Sequence, residues 1–322
     1  MKLSINRRLF KANAIGLVAG LFVFAFSFTA CSKFNSVKKN SKSPIVHEDS
    51  SALKNFKGPY SRIIVLSPSL AEDFYAVGGE ECLVARTDFC DFPLEIKSLP
   101  SVGGFDGTSL SLETILAMEG DFVCGSKGMH DFLVPALKGI PVYLSSPKNI
   151  NDVMEEILFA GRWTGHEENA LKKIEEMKNA LAVIKENSSQ KNQKKKTVYY
   201  EVWPSPYMSV GKNSFINDLI SLAGASNIFK DIENEYPLVS EESIISANPS
   251  VIILPSANGI SLEQVKKRPA WAELDAVKNG NVFLVDADVF SRPGPRLIQA
   301  VEKLSQILNK EAENAETDTE IK

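Results

Sequence analysis

The chain has 322 residues, 44% of them apolar and 24% charged, with a formal net charge of −4. That supplies apolar surface for one large domain or two ordinary ones, and no basic excess to meet a nucleic acid. Four cysteines and three histidines are too few for a disulfide framework or a histidine-rich metal centre.

Residues 1–30 read as a secretory signal. Lys2, Arg7, Arg8 and Lys11 form a basic head, an almost uncharged stretch runs from Ala12 to Ala30, and the exit is FTAC. The exit resembles a bacterial lipobox, with Cys31 as the lipidated N-terminal residue. Phe28 stands where such signals usually carry leucine. A retained transmembrane helix is the alternative, since this mostly apolar stretch of nineteen residues could span a bilayer. The expected location is outside the cytoplasmic membrane, anchored by lipid. Residues 31–59 are rich in Ser, Lys and Asn, have little to bury, and read as a flexible tether.

From residue 60 short strands alternate with helices. SRIIVLSPS reads as a buried strand leaving into a loop, LAEDFYAVG as a helix closing at Gly78-Gly79, and CLVART as a strand. LSLETILAM is a short helix before the strand DFVCGS. FLVPALKGI reads as a helix ending at Gly139, followed by the strand PVYLSS and a helix over 149–163. Residues 166–187 then predict one long helix, with Ala170, Ile174, Met177, Leu181 and Ile184 on a single stripe and Thr164 with Glu167 as a capping box. The run KNQKKK at 191–196 is a solvated linker. Strand and helix alternate again: KTVYYEVW, SFINDLISLAG, SEESIISAN, SVIILPS, EQVKKRPAWAEL broken at Pro269, NVFLVDAD and LIQAVEKLSQIL. The fold class is α/β: two Rossmann-like lobes with mostly parallel sheets, joined by one long rigid spacer helix. The lobes are expected at 60–163 and 191–309, the linking helix at 164–190, and a disordered acidic tail at 310–322. The halves echo each other: SLSLETILAMEGDFVCGS aligns with YPLVSEESIISANPSVIILPS, setting Glu113 against Glu242 and Asp121 near Ser250.

No catalytic set emerges. The chain lacks GxSxG and P-loop patterns, and VGGFDG departs from a dinucleotide fingerprint. His47, His130 and His166 have no ligand spacing, so no resident metal and no cofactor are expected. His130, after the strand DFVCGS, reads as a surface-loop histidine, with contact to a haem iron or a cobalt face as the sharper alternative. Cys82, Cys90 and Cys124 read as small core fillers forming at most one bridge.

The segments RIIVLSPSLAEDFYAVG, RTDFCDFP, LPSVGGFDGTS, YMSVGKNSFINDLISLAGASNIF and SRPGPRLIQAVEKL occur in that order. Together they resemble the periplasmic binding proteins of ABC importers for cobalamin and iron chelates. The resemblance covers residues 60–309 and implies a non-enzymatic, monomeric solute-binding protein that delivers its ligand to a two-subunit permease with cytoplasmic ATPases. It implies a ligand cleft between the lobes lined by Phe89, Phe105, Tyr207, Tyr236, Asp288 and Arg292. It also implies that Glu113 and Glu242 dock onto the permease. The balance of four aromatics, one acid and one base favours a corrinoid such as cobalamin, with a ferric siderophore or haem as alternatives. A lipoprotein of the same fold that senses, scavenges or adheres without a transporter is the other class left open.

Overall fold

The computed structural model describes residues 58–189 and 195–320. The signal segment, Cys31 and nearly all of the tether lie outside them. Two four-stranded sheets organise the chain. The first contains β1 (Ile63–Val65), β2 (Leu83–Arg86), β3 (Phe122–Ser126) and β4 (Val142–Ser145), in the order β2-β1-β3-β4, with all pairs parallel. Strands buried on both faces need continuous apolar runs. Ile63, Ile64 and Val65, like Phe122, Val123 and Cys124, are fully buried.

The second sheet contains β5 (Thr197–Tyr200), β8 (Ser226–Asn227), β9 (Val251–Pro255) and β10 (Val282–Val285), also all parallel. Its order is β8-β5-β9-β10, so both sheets place their own first four strands as 2-1-3-4. A small antiparallel hairpin, β6 (Trp203–Pro204) and β7 (Tyr207–Met208), follows β5. The sequence echo is therefore topological. Asp121 accepts hydrogen bonds from the Ser61 and Arg62 backbone N–H groups ahead of β1 (2.9 and 3.0 Å). Ser250 occupies the matching place: its hydroxyl lies 3.1 Å from that of Thr197 at the start of β5. Each residue ties the third strand of its lobe to the first.

Helix α1 (Pro68–Val77) follows β1 and ends at Gly78, whose φ of 77° a residue with a Cβ rarely adopts. Helix α2 (Leu112–Ala117) precedes β3; α3 (Ile150–Thr164) and α4 (Glu167–Ser189) connect the sheets. The second half carries α5 (Phe215–Leu222), α6 (Glu241–Ala247), α7 (Leu262–Lys266), α8 (Asp275–Lys278), α9 (Ala287–Ser291) and α10 (Leu297–Glu320). The 23 residues of α4 span about 35 Å. Ala170, Ile174, Met177 and Ile184 on its expected stripe are buried, each of the larger three contributing about 1.5–3 kcal/mol. They join one core cluster running from Ile63, Phe74 and Trp163 in the first half to Tyr200, Leu219 and Val301 in the second. The lobes thus share packed side chains as well as the helix.

Three local expectations do not hold. FLVPALKGI forms only a short 3₁₀ turn over Asp131–Leu133 and loose turns after it, because Pro135 lacks an N–H and obstructs the preceding turn of an α-helix. Thr164 does not cap α4: it ends α3, and its hydroxyl donates to the Ala160 carbonyl at 2.8 Å. EQVKKRPAWAEL is broken at Pro269 as expected, into α7 and a separate 3₁₀ turn over Trp271–Glu273. Helix α10 runs to Glu320, past residue 310, where the acidic composition predicts a disordered tail; the alanine, glutamate and lysine of KEAENAE are strong helix formers.

Candidate functional site

In a parallel sheet the loops at the carboxyl ends of the strands gather on one side, where ligands bind. In the first lobe these loops carry Ser67 and Ser69 after β1, Ser126 at the end of β3 and Ser145 at the end of β4. They form one wall of a cleft of about 520 Å³. The opposite wall comes from the second lobe: Phe215, Glu235, Tyr236, Ser291 and Arg292.

Of the expected ligand residues, Phe105, Tyr236 and Arg292 line this cleft. Phe105 stands on a tight loop. Gly103 has φ 112°, and a Cβ there would fall 2.2 Å from the Ser109 carbonyl oxygen. Asp106 Oδ1 accepts from the Thr108 hydroxyl (2.6 Å) and from the Thr108 and Ser109 N–H groups (2.8 and 3.1 Å), which closes the turn and holds its carboxyl below the usual range. Phe89 does not touch the cleft directly. It is half exposed, with its ring centroid 5.8 Å from that of Phe105 at 54°. Tyr236 is half-buried, with its N–H donating to Asn234 Oδ1 at 3.1 Å; burial pushes its phenol well above the ordinary range.

Tyr207 is not brought to the cleft. Its ring packs 5.8 Å from Trp271, Arg268 lies over it at 5.2 Å, and its hydroxyl donates to Glu241 Oε1 at 3.4 Å. Asp288 is also absent from the lining and instead holds Arg292: its Oδ1 is 2.8 Å from Nη2. Helix α9 positions this pair. Asp286 caps it by accepting from the Asp288 and Val289 N–H groups, so the acid and Arg292 lie one helical turn apart.

Arg292 is more fully engaged than its place in the sequence suggests. Nη1 donates to Asp91 Oδ1 at 2.8 Å and lies 3.5 Å from Glu72 Oε1. Arg296 grips the same Glu72 with two bonds, 2.7 and 2.6 Å, and stacks 4.0 Å over the Phe92 ring. Asp91 and the buried Glu72 belong to the first lobe, so both arginines are satisfied by carboxylates across the lobe boundary. Lys148 and Glu235 form a further bridge. Arg86 is occupied by the backbone carbonyls of Ile96 and Thr87.

His130 is not a surface histidine: it is fully buried. Its Nδ1 accepts from the Ser126 N–H at 2.8 Å, and its ring meets Phe105 edge-on at 5.1 Å and 85°. Burial lowers its pKa. It backs Phe105 from behind. A buried acid lies deeper. Glu156 accepts from the Tyr143 hydroxyl (2.7 Å) and the Ser145 hydroxyl (2.9 Å), and burial pushes its pKa up to about 7.

Glu113 and Glu242 lie exposed in the first turns of α2 and α6. Each follows a serine N-cap, Ser111 or Ser240, and each helix leads into the third strand of its lobe. Among the described residues no group of three or more potential metal ligands occurs, and Cys82, Cys90 and Cys124 are free and buried.

The wall serines, Glu72 and Asp91 do not stand out in the sequence as site residues. The available signal is positional: SPS, CGS and LSS each end an apolar strand.

A family profile described as periplasmic binding protein matches residues 63–289. An uncharacterized ABC transporter substrate-binding lipoprotein of Bacillus subtilis is 28% identical over 307 residues, covering 90% of this chain and 96% of that one. The crystal structure of the periplasmic vitamin B12 binding protein of Vibrio cholerae is 26% identical with a TM-score of 0.68, covering 79% of this chain and 98% of that one. A possible iron-binding, periplasmic solute-binding protein of Staphylococcus epidermidis is 30% identical with the same TM-score, covering 78% and 99%. With two parallel-sheet lobes, a cleft between them and a family match over most of its length, the chain belongs to the periplasmic binding protein family, as an extracytoplasmic solute-binding component of the ABC-importer type.

Proposed function

We propose that the cleft holds a corrinoid such as cobalamin and that the protein delivers it to a two-subunit permease driven by cytoplasmic ATPases. The observation that carries this reading is the state of the arginines. Haem carries carboxylates, and ferric siderophores present several negative oxygens; either would call on unengaged guanidinium forks. Arg292 and Arg296 are already bound to Asp91, Asp288 and Glu72. Besides Lys127, Glu235 and the engaged Arg292, the cleft presents aromatic faces at Phe105, Phe215 and Tyr236 and hydroxyls between them, which suit a broad apolar ring with an amide rim.

On this reading Phe105 and Tyr236 contact the ring, Phe89 extends the aromatic surface at the mouth, and Asp288 fixes Arg292 at the rim. Tyr207 braces the second lobe from within. Glu113 and Glu242 dock on the permease, one per lobe, at matching places in two lobes of like topology. Opposite charges so placed orient docking and speed encounter. Calorimetry of the lipid-free chain against cobalamin, haem and a panel of ferric siderophores tests the ligand. Binding of cobalamin alone is expected. Binding of a ferric siderophore or haem without cobalamin would overturn the assignment while leaving the importer role standing.

A further inference from the structure

The first-lobe wall holds three hydroxyls in a chain. Ser126 Oγ donates to Ser67 Oγ at 3.1 Å, and Ser67 Oγ lies 2.9 Å from Ser69 Oγ. Ser67 and Ser69 are almost fully buried, yet all three line the cleft. Three hydroxyls carry three protons, and the two bonds between them use two. One proton, on Ser67 or Ser69, is left over, together with unused lone pairs. Ser67 stands at the N-cap of α1, where a serine side chain ordinarily accepts from the helix backbone. Here its side chain makes no cap bond and turns to the serine chain instead. A leftover donor and acceptors on the cleft wall form an arrangement that a ligand completes.

We propose that Ser67, Ser69 and Ser126 form a hydroxyl subsite that recognises a carboxamide of the bound solute, an assignment that rests on the corrinoid reading of the same cleft. The amide carbonyl takes the spare proton, and the amide N–H donates to a serine oxygen. An uncharged group fits better than a carboxylate because the neighbouring guanidinium of Arg292 is committed to acids. Ser145, also on this wall, is held by Glu156 at 2.9 Å and stands outside the chain of hydroxyls.

A titration of the wild-type lipid-free chain and its variants with cyanocobalamin tests the subsite, with thermal melting as the check on folding. S69A/S126A should weaken binding about tenfold, S126A alone by less, and S126T, which keeps the hydroxyl, should bind within threefold of wild type. Should the double variant fail to fold, S126A against S126T carries the comparison. Wild-type binding with unchanged affinity in S69A/S126A, or in S126A, would overturn the serine subsite and leave the corrinoid reading intact. Absence of wild-type binding would overturn the corrinoid reading and the amide assignment with it.

Discussion

Arg292 Nη1 stands 2.8 Å from Asp91 Oδ1, although 201 residues of chain separate them. The contact joins the end of α9 in one lobe to the loop after β2 in the other, and Arg296 repeats the crossing through Glu72. Glu72 is almost fully buried and serves two guanidinium groups. Removing it leaves both short of a partner in a partly dry setting. Glu72→Ala should lower the unfolding free energy by about 3 kcal/mol, read as an earlier denaturation midpoint in urea with an unchanged slope. A loss under half a kilocalorie would show that the crossing contributes little.

Glu156 gives the protein a pH-dependent stability of defined sign. Its folded pKa, about 7, is raised from 4.5, chiefly by burial. Asp73 on α1, also buried and raised well above its ordinary value, faces it; Tyr143 on β4 and Cys124 on β3 lie in the same cluster, and Asp152 adds negative charge from α3 itself. The folded state therefore binds protons that the unfolded chain has released. The stabilisation is full below about pH 4.5 and fades as pH rises through 7. Glu156→Gln should flatten this part of the profile, by up to about 3 kcal/mol between pH 5 and 8. Identical profiles for the two proteins would refute the assignment.

The continuous core through α4 bears on movement. Met177 and Ile184 belong to one core cluster that includes residues of both halves, and a six-turn helix resists bending. Lobe closure on ligand should be small, so scattering profiles with and without cobalamin should nearly superimpose. A fall of several ångströms in the radius of gyration would contradict a stiff connection.

Glu113 and Glu242 lie in helices away from the cleft lining. The double charge reversal Glu113→Arg/Glu242→Arg should abolish uptake in cells while leaving solution affinity for the ligand within twofold. Loss of affinity in solution would place these residues in ligand binding instead of docking.

The sheets are legible in the sequence because fully buried parallel strands need unbroken runs such as RIIV and SVIIL. Helix α4 is legible through a stripe sustained over five apolar positions. Phe105, Tyr236 and Arg292 are reached through the family resemblance that the segments around them carry. Glu72 is not: an acid on a helix reads as solvent-facing, and its partner Arg296 lies 224 residues away. The serines are hidden for another reason. A serine after a strand is a common sign of a turn, and only the three-dimensional order of β1 and β3 brings Ser67 beside Ser126. His130 reads as exposed because a polar loop gives no hint that Phe105 folds over it.

If the cleft takes an uncharged corrinoid, its arginines being already engaged, then binding should be nearly indifferent to salt. The dissociation constant of cyanocobalamin at low and high ionic strength decides the matter. Surface charge attraction is screened beyond about 10 Å at 0.1 M salt, whereas apolar contact and hydrogen bonds to neutral amides are not weakened in this way. Micromolar or tighter binding is expected, with a constant that changes less than about twofold between roughly 50 and 500 mM salt. No binding of cyanocobalamin, or an affinity that collapses with salt while an anionic iron chelate binds tightly, would contradict it.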